Sequence, residues 1–303
     1  MINKTPLRYP GGKSVMTPLF IDLIKVNELK GVSYAEPYAG GAGTAINLLL
    51  GGYVDRIFIN DASIGIYSFW RYVLEESDSF IKTILETPVD LEHWRYFHEF
   101  VKTAKCPSFE LGFATFFLSR TSRSGILTAG PIGGTTEEKQ NRAKYRIDCR
   151  YNKTDLISRI QEISKHRGNI VVSNKDAIDF LITLPEDSMN LVYLDPPYFN
   201  QGKYLYLNYY SSDDHKFLSE YLSQTTNFRW VLSYDNVAEI RDFYKCFDLY
   251  EFQLNYTAQR IKYGSELLTH SPDLKMPNEL LIRRRRNNIV LRKIDVYGNY
   301  TED

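Results

Sequence analysis

A short apolar run that stops at an acid and two prolines constrains this chain more than any other stretch. Residues 191–194 are apolar, and Asp195, Pro196, Pro197 and Tyr198 follow at once. Such a run predicts a buried central strand of a sheet. Ligands of open α/β sheets collect just beyond the carboxyl ends of the strands, so this tetrapeptide is expected to hold a reacting group. The simpler alternative is a strand terminator, and only the other motifs can decide between the two.

The same tetrapeptide presents two rigid acceptors and a flat ring. The prolines have fixed φ angles and no backbone N–H, which leaves the Asp195 carboxylate and the Pro196 carbonyl as outward acceptors. Tyr198 adds an aromatic surface beside them. This combination suits a planar ring that carries an exocyclic amino group.

The amino terminus is a turn-rich loop, residues 5–14, that leads into a helix predicted over residues 15–26. Gly12, Lys13 and the serine after them could be mistaken for the end of a phosphate-binding loop. That motif requires a glycine where Leu7 stands, so a nucleoside triphosphate site is rejected. Alternatively, the glycines only cap the entry to the helix.

A strand, a glycine-rich turn and a helix follow over residues 31–50, the first unit of a Rossmann-like sheet. Gly40, Gly41 and Gly43 let the backbone approach a ligand closely because they have no Cβ. Their spacing differs from the dinucleotide fingerprint, which argues against a pyrophosphate cofactor. Glu36, at the end of the strand, suits a cationic partner such as an amino group.

Two further acids stand at predicted strand ends. Asp61 follows a strand at residues 56–60, where doubly wound sheets commonly bind ribose hydroxyls. Asp176 follows a strand at residues 169–173 and is expected to accept from the amino group of a cofactor adenine, or else to cap the next helix.

From about residue 65 to 165 the pattern is helical and then polar and basic, without alternating strands, which predicts a module inserted between two units of the sheet. As a group its basic residues favour contacts with nucleic acid, although any one of them is more simply a solvated surface residue. The candidate DNA-binding residues are Arg120, Arg123, Ser124, Asn141 and Arg142.

The sheet then continues past the central strand. We predict an α/β fold with a Rossmann-like, seven-stranded, mostly parallel sheet, whose last two strands are an antiparallel pair at residues 249–254 and 279–282. An aromatic loop at residues 199–210 is expected to order over a base. His215 is expected to lie on the surface of a helix. The four arginines at residues 283–286 are either hydrated or in contact with a DNA backbone.

Composition limits the partners and the compartment. The chain has 37 Lys and Arg against 37 Asp and Glu, so a basic binding face has to be local. The separated cysteines, Cys106, Cys149 and Cys246, predict reduced thiols in a cytoplasmic protein, with neither a metal site nor a disulfide. No signal peptide and no membrane-spanning segment is recognised.

Four motifs in this order resemble the DNA adenine methyltransferase family, the Dam-like α class. They are residues 6–13, residues 36–43, Asn60 with Asp61, and residues 195–198. The resemblance implies that S-adenosylmethionine binds with Tyr9 and Lys13 at its methionine end, residues 36–43 around it, Asp61 at its ribose and Asp176 near its adenine. Residues 36–43 include Pro37 and Tyr38. By the same resemblance, Asp195 borders the S-adenosylmethionine site.

The resemblance also implies a division of the chain and an activity. Residues 1–64 and 161–303 would form the catalytic domain, and residues 65–160 a target-recognition domain that binds double-stranded DNA. The enzyme would methylate the N6 amine of a flipped-out adenine, with catalysis by Asp195, Pro196, Pro197 and Tyr198. Alternatives are methylation of N4-cytosine, RNA adenine or protein glutamine, or a silent binding protein that regulates or joins a restriction or defence assembly.

Overall fold

A computed structural model describes residues 4–185, 190–199, 210–224, 227–258, 260–284 and 287–301. The strands of these residues are β1 Ser33–Glu36, β2 Arg56–Asn60, β3 Ile170–Ser173, β4 Leu191–Leu194, β5 Arg229–Asp235, β6 Leu249–Ala258, β7 Arg260–His270, β8 Leu281–Ile282, β9 Ile289–Val290 and β10 Arg292–Ile294.

The helices of the same residues are α1 Thr17–Val26, α2 Gly43–Leu50, α3 Ile64–Glu75, α4 Ser77–Glu86, α5 Leu91–Thr103, α6 Phe109–Thr121, α7 Glu137–Arg142, α8 Lys153–Ser164, α9 Ala177–Ile182, α10 Ser212–Gln224 and α11 Ala238–Phe243. None of them is both long enough and apolar enough to cross a membrane.

One sheet organises the molecule, with the strand order β10-β6-β7-β5-β4-β1-β2-β3. The strands from β5 to β3 in that order are mutually parallel. The remaining pairings, β5 with β7, β7 with β6 and β6 with β10, are antiparallel. The carboxyl ends of the parallel strands therefore share one edge, where ligands of α/β proteins bind.

The prediction of seven strands is wrong, because the described residues already form a sheet of eight. The partner of β6 is β7, which follows it after a single residue, as expected of a hairpin. The segment predicted as that partner forms β8 instead and pairs with β9 in a separate two-stranded sheet. β10 then adds to the far edge of the main sheet, beside β6.

Strand β4 lies near the middle of the sheet and is fully buried, as its apolar sequence predicts. Leu191 and Tyr193 belong to the hydrophobic cluster on one face, and Val192 and Leu194 belong to the cluster on the other face. Alternate residues of a strand point to opposite faces, so a strand covered on both sides has to be apolar throughout.

The chain between β2 and β3 contains the helices α3 to α8. That this segment is an inserted module stays a prediction. Helix α6 is buried around most of its circumference because it packs between α3 and α5. Where α6 packs against α3, a Cβ on Gly112 would lie 2.7 Å from the carbonyl oxygen of Ser68. Glycine therefore sets the separation of these two helices.

We expect Gly112→Ala to destabilise the protein although alanine is the better helix former. Alanine gains about 1 kcal/mol in helix propensity, but forcing two helix backbones apart costs more, so we predict a net loss of ~1–2 kcal/mol in the free energy of unfolding. Gly168→Ala is the matched control, because no atom lies within 4 Å of its Cβ position. Chemical denaturation of both variants tests this, and equal stabilities would refute the close packing.

Candidate active site

A cavity of about 490 Å³ opens at the shared carboxyl edge of the parallel strands. Its wall combines the amino-terminal loop with the residues that follow β1, β2, β3 and β4. The predicted site residues that line it are Tyr9, Lys13, Glu36, Pro37, Tyr38, Gly40, Gly41, Gly43, Asp61, Asp176, Asp195 and Pro197, together with Arg120. Segments far apart in sequence thus meet in one cavity, as the motif order predicts.

Lys13 is the centre of a buried ionic cluster at one end of this cavity. Its ammonium nitrogen lies 2.9 Å and 3.2 Å from the two carboxylate oxygens of Asp195. It also donates to the hydroxyl of Tyr198 at 2.6 Å. The Tyr198 hydroxyl in turn donates to Glu266 at 2.6 Å, and the Lys13 nitrogen lies 3.9 Å from that same carboxylate oxygen.

Asp195 is held from its other side by the neighbouring strand. Ser233 of β5 donates its hydroxyl to a carboxylate oxygen of Asp195 at 2.9 Å, and the hydroxyl of Tyr193 lies 2.8 Å from that serine. The Asp195 side chain retains 19% exposure while that of Lys13 retains 4%. The carboxylate is therefore fixed by donors and still faces the cavity.

The glycine-rich turn between β1 and α2 is fixed by two contacts of Gly40. Its N–H donates to a carboxylate oxygen of Asp61 at 2.8 Å, and its carbonyl accepts from the indole of Trp70 at 2.9 Å. Gly40 has φ +46°, and a Cβ there would lie 2.7 Å from the ring of Tyr9. Only glycine combines this conformation with this contact, so the backbone itself forms the cavity wall.

Glu36 lies at the floor of the cavity and is buried. One of its carboxylate oxygens accepts from the N–H of Ala45 at 3.0 Å and from the hydroxyl of Tyr34 at 3.1 Å. Burial raises the pKa of Glu36 to about 8, because desolvation of the carboxylate outweighs these two hydrogen bonds. A cation placed beside it would restore its ionised form.

Asp61 and Asp176 both make local backbone contacts. Asp61 accepts from the N–H groups of Gly40 and Ser63, and burial raises its pKa to about 6. Asp176 is the N-cap of α9 and accepts from the N–H of Ile178 at 2.9 Å. The capping alternative is thus observed for Asp176, while a ribose contact for Asp61 and an adenine contact for Asp176 stay predictions.

The tetrapeptide is divided between the cavity and the protein interior. Asp195 and Pro197 line the cavity, whereas Pro196 is buried and Tyr198 is half-buried. The contacts of Pro196 and Tyr198 with a substrate stay predictions.

The predicted DNA-binding residues separate into two groups. Arg123, Asn141 and Arg142 are exposed, and Ser124 next to Arg123 is half-buried with φ +57°. Arg120 instead turns inward and donates to the backbone carbonyls of Thr5 and Pro6. Its burial lowers its pKa to about 10. These contacts identify Arg120 as a clamp on the amino-terminal loop, and a DNA contact for any of these residues stays a prediction.

His215 corrects the sequence reading, which expected a surface residue. It is 1% exposed, and its Nδ1 lies 2.7 Å from the hydroxyl of Tyr234. The rings of Phe199 and Tyr210 pack against it at 5.2 Å and 5.4 Å. The helix was predicted with His215 on its surface, but α10 presents this position to an aromatic cluster. Burial lowers its pKa to about 4.

Several contacts of the site escape sequence reasoning. Glu266, Ser233 and the hydroxyl of Tyr193 carry no motif, and β7 itself was not predicted, so nothing local marked Glu266. Arg283 pairs with Asp22 and Glu279, while residues 285 and 286 of the arginine run lie outside the described residues. Most of the predicted aromatic loop, residues 200–209, lies outside them as well.

In the part of the chain that the structure describes, no group of three or more His, Cys, Asp or Glu side chains could hold a metal ion. Cys106, Cys149 and Cys246 are free and exposed.

Comparison with known proteins identifies one family. A family model described as D12 class N6 adenine-specific DNA methyltransferase matches residues 9–258. No curated protein matches the sequence. A similar solved structure is that of protein LPL1258 from Legionella pneumophila, with 10% identity over 87% of each chain and a TM-score of 0.30, a likeness too weak to carry an argument.

The burial of Glu36 predicts a pH dependence of stability. Its pKa is about 8 in the folded protein against an ordinary value of 4.5, so the folded state binds the extra proton between these values. Stability is therefore full at low pH and falls as pH rises toward 8, by up to about 1.4 kcal/mol per pH unit. Asp61, whose pKa is about 6, makes a similar contribution at lower pH. The fall in stability above pH 6 is therefore assigned to Glu36.

We expect Glu36→Gln to remove the fall in stability between pH 6 and pH 8. The free energy of unfolding of the variant should therefore increase relative to that of the wild type as pH rises across this range. Urea denaturation at several pH values measures the difference. Glu92→Gln, a change at an exposed carboxyl of α5, is the control and should track the wild type. Parallel curves for Glu36→Gln and wild type would contradict the assigned burial.

Proposed function

The chain belongs to the D12 class N6 adenine-specific DNA methyltransferase family, and from this premise we propose that the cavity beside Asp195 is its active site. The enzyme methylates the N6 amine of adenine in DNA. The observation that carries the proposal is the meeting of the glycine-rich turn and Asp195 in one cavity of about 490 Å³. A methyl donor bound at the glycine-rich turn and a methyl acceptor bound at Asp195 would be neighbours.

S-adenosylmethionine is the donor that a methyltransferase family implies, and the chemistry of the cavity fits it. The volume lies within the range of about 300–1,000 Å³ that small-molecule sites have. The buried Glu36 carboxylate offers a partner for an ammonium group, and the turn at Gly40 and Gly41 leaves no Cβ in the way. When bound, this cofactor supplies a methyl group on a positively charged sulfur.

The residues that would hold the cofactor follow from the positions of the acids. Glu36 would pair with the amino group, and Asp61 would accept from ribose hydroxyls with the lone pairs that Gly40 and Ser63 do not use. Asp176 at the rim would accept from the adenine amine. The other wall residues proposed for this site are Tyr9, Lys13, Pro37, Tyr38, Gly41, Gly43 and Asp195.

The proposed role of Asp195 is to accept a hydrogen bond from the N6 amine of the target adenine. The Pro196 carbonyl would accept the second hydrogen, and Tyr198 would stack on the base after rotation out of the duplex. An aromatic amine is a weak nucleophile because its lone pair is delocalised. Two acceptors that direct that lone pair toward the methyl group act mainly in the transition state.

DNA would approach over the helical segment between β2 and β3. We propose residues 65–160 as the target-recognition domain for double-stranded DNA, and residues 1–64 with 161–303 as the catalytic domain. Exposed Arg123, Asn141 and Arg142 support a phosphate-binding face there. A DNA substrate also favours a cytoplasmic location. We also propose a restriction or defence component as a partner of the enzyme.

The family match names adenine and DNA, which supports the first choice over methylation of N4-cytosine, RNA adenine or protein glutamine. It also supports an enzyme over a silent binding protein.

Replacement of Asp195 tests the proposed active site. We expect Asp195→Ala and Asp195→Asn to lower the methylation rate by about 10²- to 10³-fold or more, because each removes the charged acceptor. Binding of S-adenosylhomocysteine should change by less than about tenfold, or 1.4 kcal/mol. Asp242→Ala, an exposed carboxylate of α11 that pairs with Lys245, is the control.

Transfer of labelled methyl groups to DNA, followed by digestion to nucleosides, measures both the rate and the product. Near-normal formation of N6-methyladenine by Asp195→Ala would rule out this active site.

Two arginines separate DNA binding from stability. We expect Arg123→Ala to weaken DNA binding and to reduce the slope of log affinity against log salt by about 1, with unchanged stability. Arg120→Ala should instead lower the free energy of unfolding by ~2 kcal/mol, because it removes the donors to Thr5 and Pro6. Salt-dependent binding titrations and denaturation curves test this, and the opposite pattern would show that Arg120 reads DNA.

A further inference from the structure

Glu266 is a buried acid that the proposed reaction has not used. It lies in β7, opposite Asp235 of the antiparallel neighbour β5, and it is 1% exposed. An ionised carboxylate in such a place is costly unless cations and donors surround it. Its partners therefore indicate why a sheet strand carries it.

Its partners among the described residues include two of the proposed active site, Tyr198 and Lys13. The Tyr198 hydroxyl has one hydrogen, and it donates that hydrogen to Glu266 at 2.6 Å while it accepts from Lys13 at 2.6 Å. Lys13 also donates to Asp195. A continuous chain thus runs from Asp195 through the ammonium group and the phenol to Glu266.

The charges of this chain favour a cationic product at Asp195. With Asp195 and Lys13 alone, the two charges cancel. Glu266 adds a second carboxylate 3.9 Å from the Lys13 nitrogen, so these three side chains carry a net charge of −1 when both acids are ionised. Formation of the N–C bond would break the S–C bond of the sulfonium and move its positive charge to the adenine amine, where a negative cluster would stabilise it until a proton of the amine passes to Asp195.

We propose that Glu266 is a positioning residue for methyl transfer. It fixes the Tyr198 ring through its hydroxyl and shares the Lys13 ammonium, so that Lys13 can release one oxygen of Asp195 to the incoming amine without becoming an unpaired buried charge. This inference rests on the proposed function of Asp195. It assigns to a strand outside all the sequence motifs a part in the reaction.

Glu266→Gln tests the charge with little change in shape, because the amide oxygen can still accept from Tyr198. We expect the single-turnover rate of methylation to fall roughly 10- to 100-fold, as for other residues that orient a reacting group. Affinities for S-adenosylhomocysteine and DNA should change less than about threefold, since Glu266 itself is not among the residues proposed to hold the cofactor or DNA.

The matched control is Glu251→Gln. Glu251 lies on β6, beside β7, and its carboxylate accepts from Ser265 outside the ionic cluster. Glu251→Gln removes one negative charge from the same pair of strands, as Glu266→Gln does, and should keep the wild-type rate of methylation. A lower rate in both variants would overturn a specific role for Glu266.

A double-mutant cycle with Tyr198→Phe shows whether Glu266 acts through the hydroxyl. Tyr198→Phe keeps the ring and removes the link, so Glu266→Gln should cost less than half as many fold in that background as in the wild type. Full additivity of the two effects would contradict the proposed chain of contacts. A wild-type rate of Tyr198→Phe would overturn the inference even if Glu266→Gln did not fold.

Asp195→Ala, measured beside these variants, keeps the two proposals apart. If Asp195→Ala is inactive while Glu266→Gln matches the wild type, only the role of Glu266 fails. If Asp195→Ala remains active, the proposed active site itself fails.

Discussion

The ionic cluster around Lys13 joins parts of the chain that nothing else in the sequence would bring together. Lys13 comes from the amino-terminal loop, Asp195 from the end of β4 and Glu266 from the antiparallel strand β7. An ammonium group that is 4% exposed needs these acids, because a buried cation without partners is strongly unfavourable. The loop therefore cannot leave the sheet edge without large cost, and the cavity between them keeps its shape.

The opposite wall of the cavity depends on backbone rather than charge. Gly40 binds Asp61 through its N–H and Trp70 through its carbonyl, and the Tyr9 ring occupies the space where a side chain would stand. Tyr9 belongs to the same loop as Lys13, so this loop contributes to both walls. The two halves of the site, for which we propose a cationic donor and an amine, are thus joined by a single segment.

Much of this site could be predicted because its residues stand at strand ends. Glu36, Asp61, Asp176 and Asp195 each stand at or shortly after the end of a strand, and parallel strands bring such ends to one edge of the sheet. Strand β6 was predicted in part, at residues 249–254, but its partner β7 and the edge strand β10 were missed because those segments mix polar and aromatic residues without a clear apolar period. Because β7 was not predicted, the position of Glu266 beside the site was not predicted either.

Side-chain direction was the other limit. Arg120 and His215 stand in polar, charged stretches that suggest solvent, yet one binds backbone carbonyls and the other packs among aromatic rings. Sequence gives the type of residue at a position, while only packing decides whether it faces water.

The central claim is that methyl donor and methyl acceptor share the cavity between Gly40 and Asp195. A crystal structure with S-adenosylhomocysteine tests it most directly: we expect the ligand against Glu36 and the glycine turn with its sulfur toward Asp195, and a ligand bound elsewhere, or with its sulfur turned away from Asp195, would contradict it.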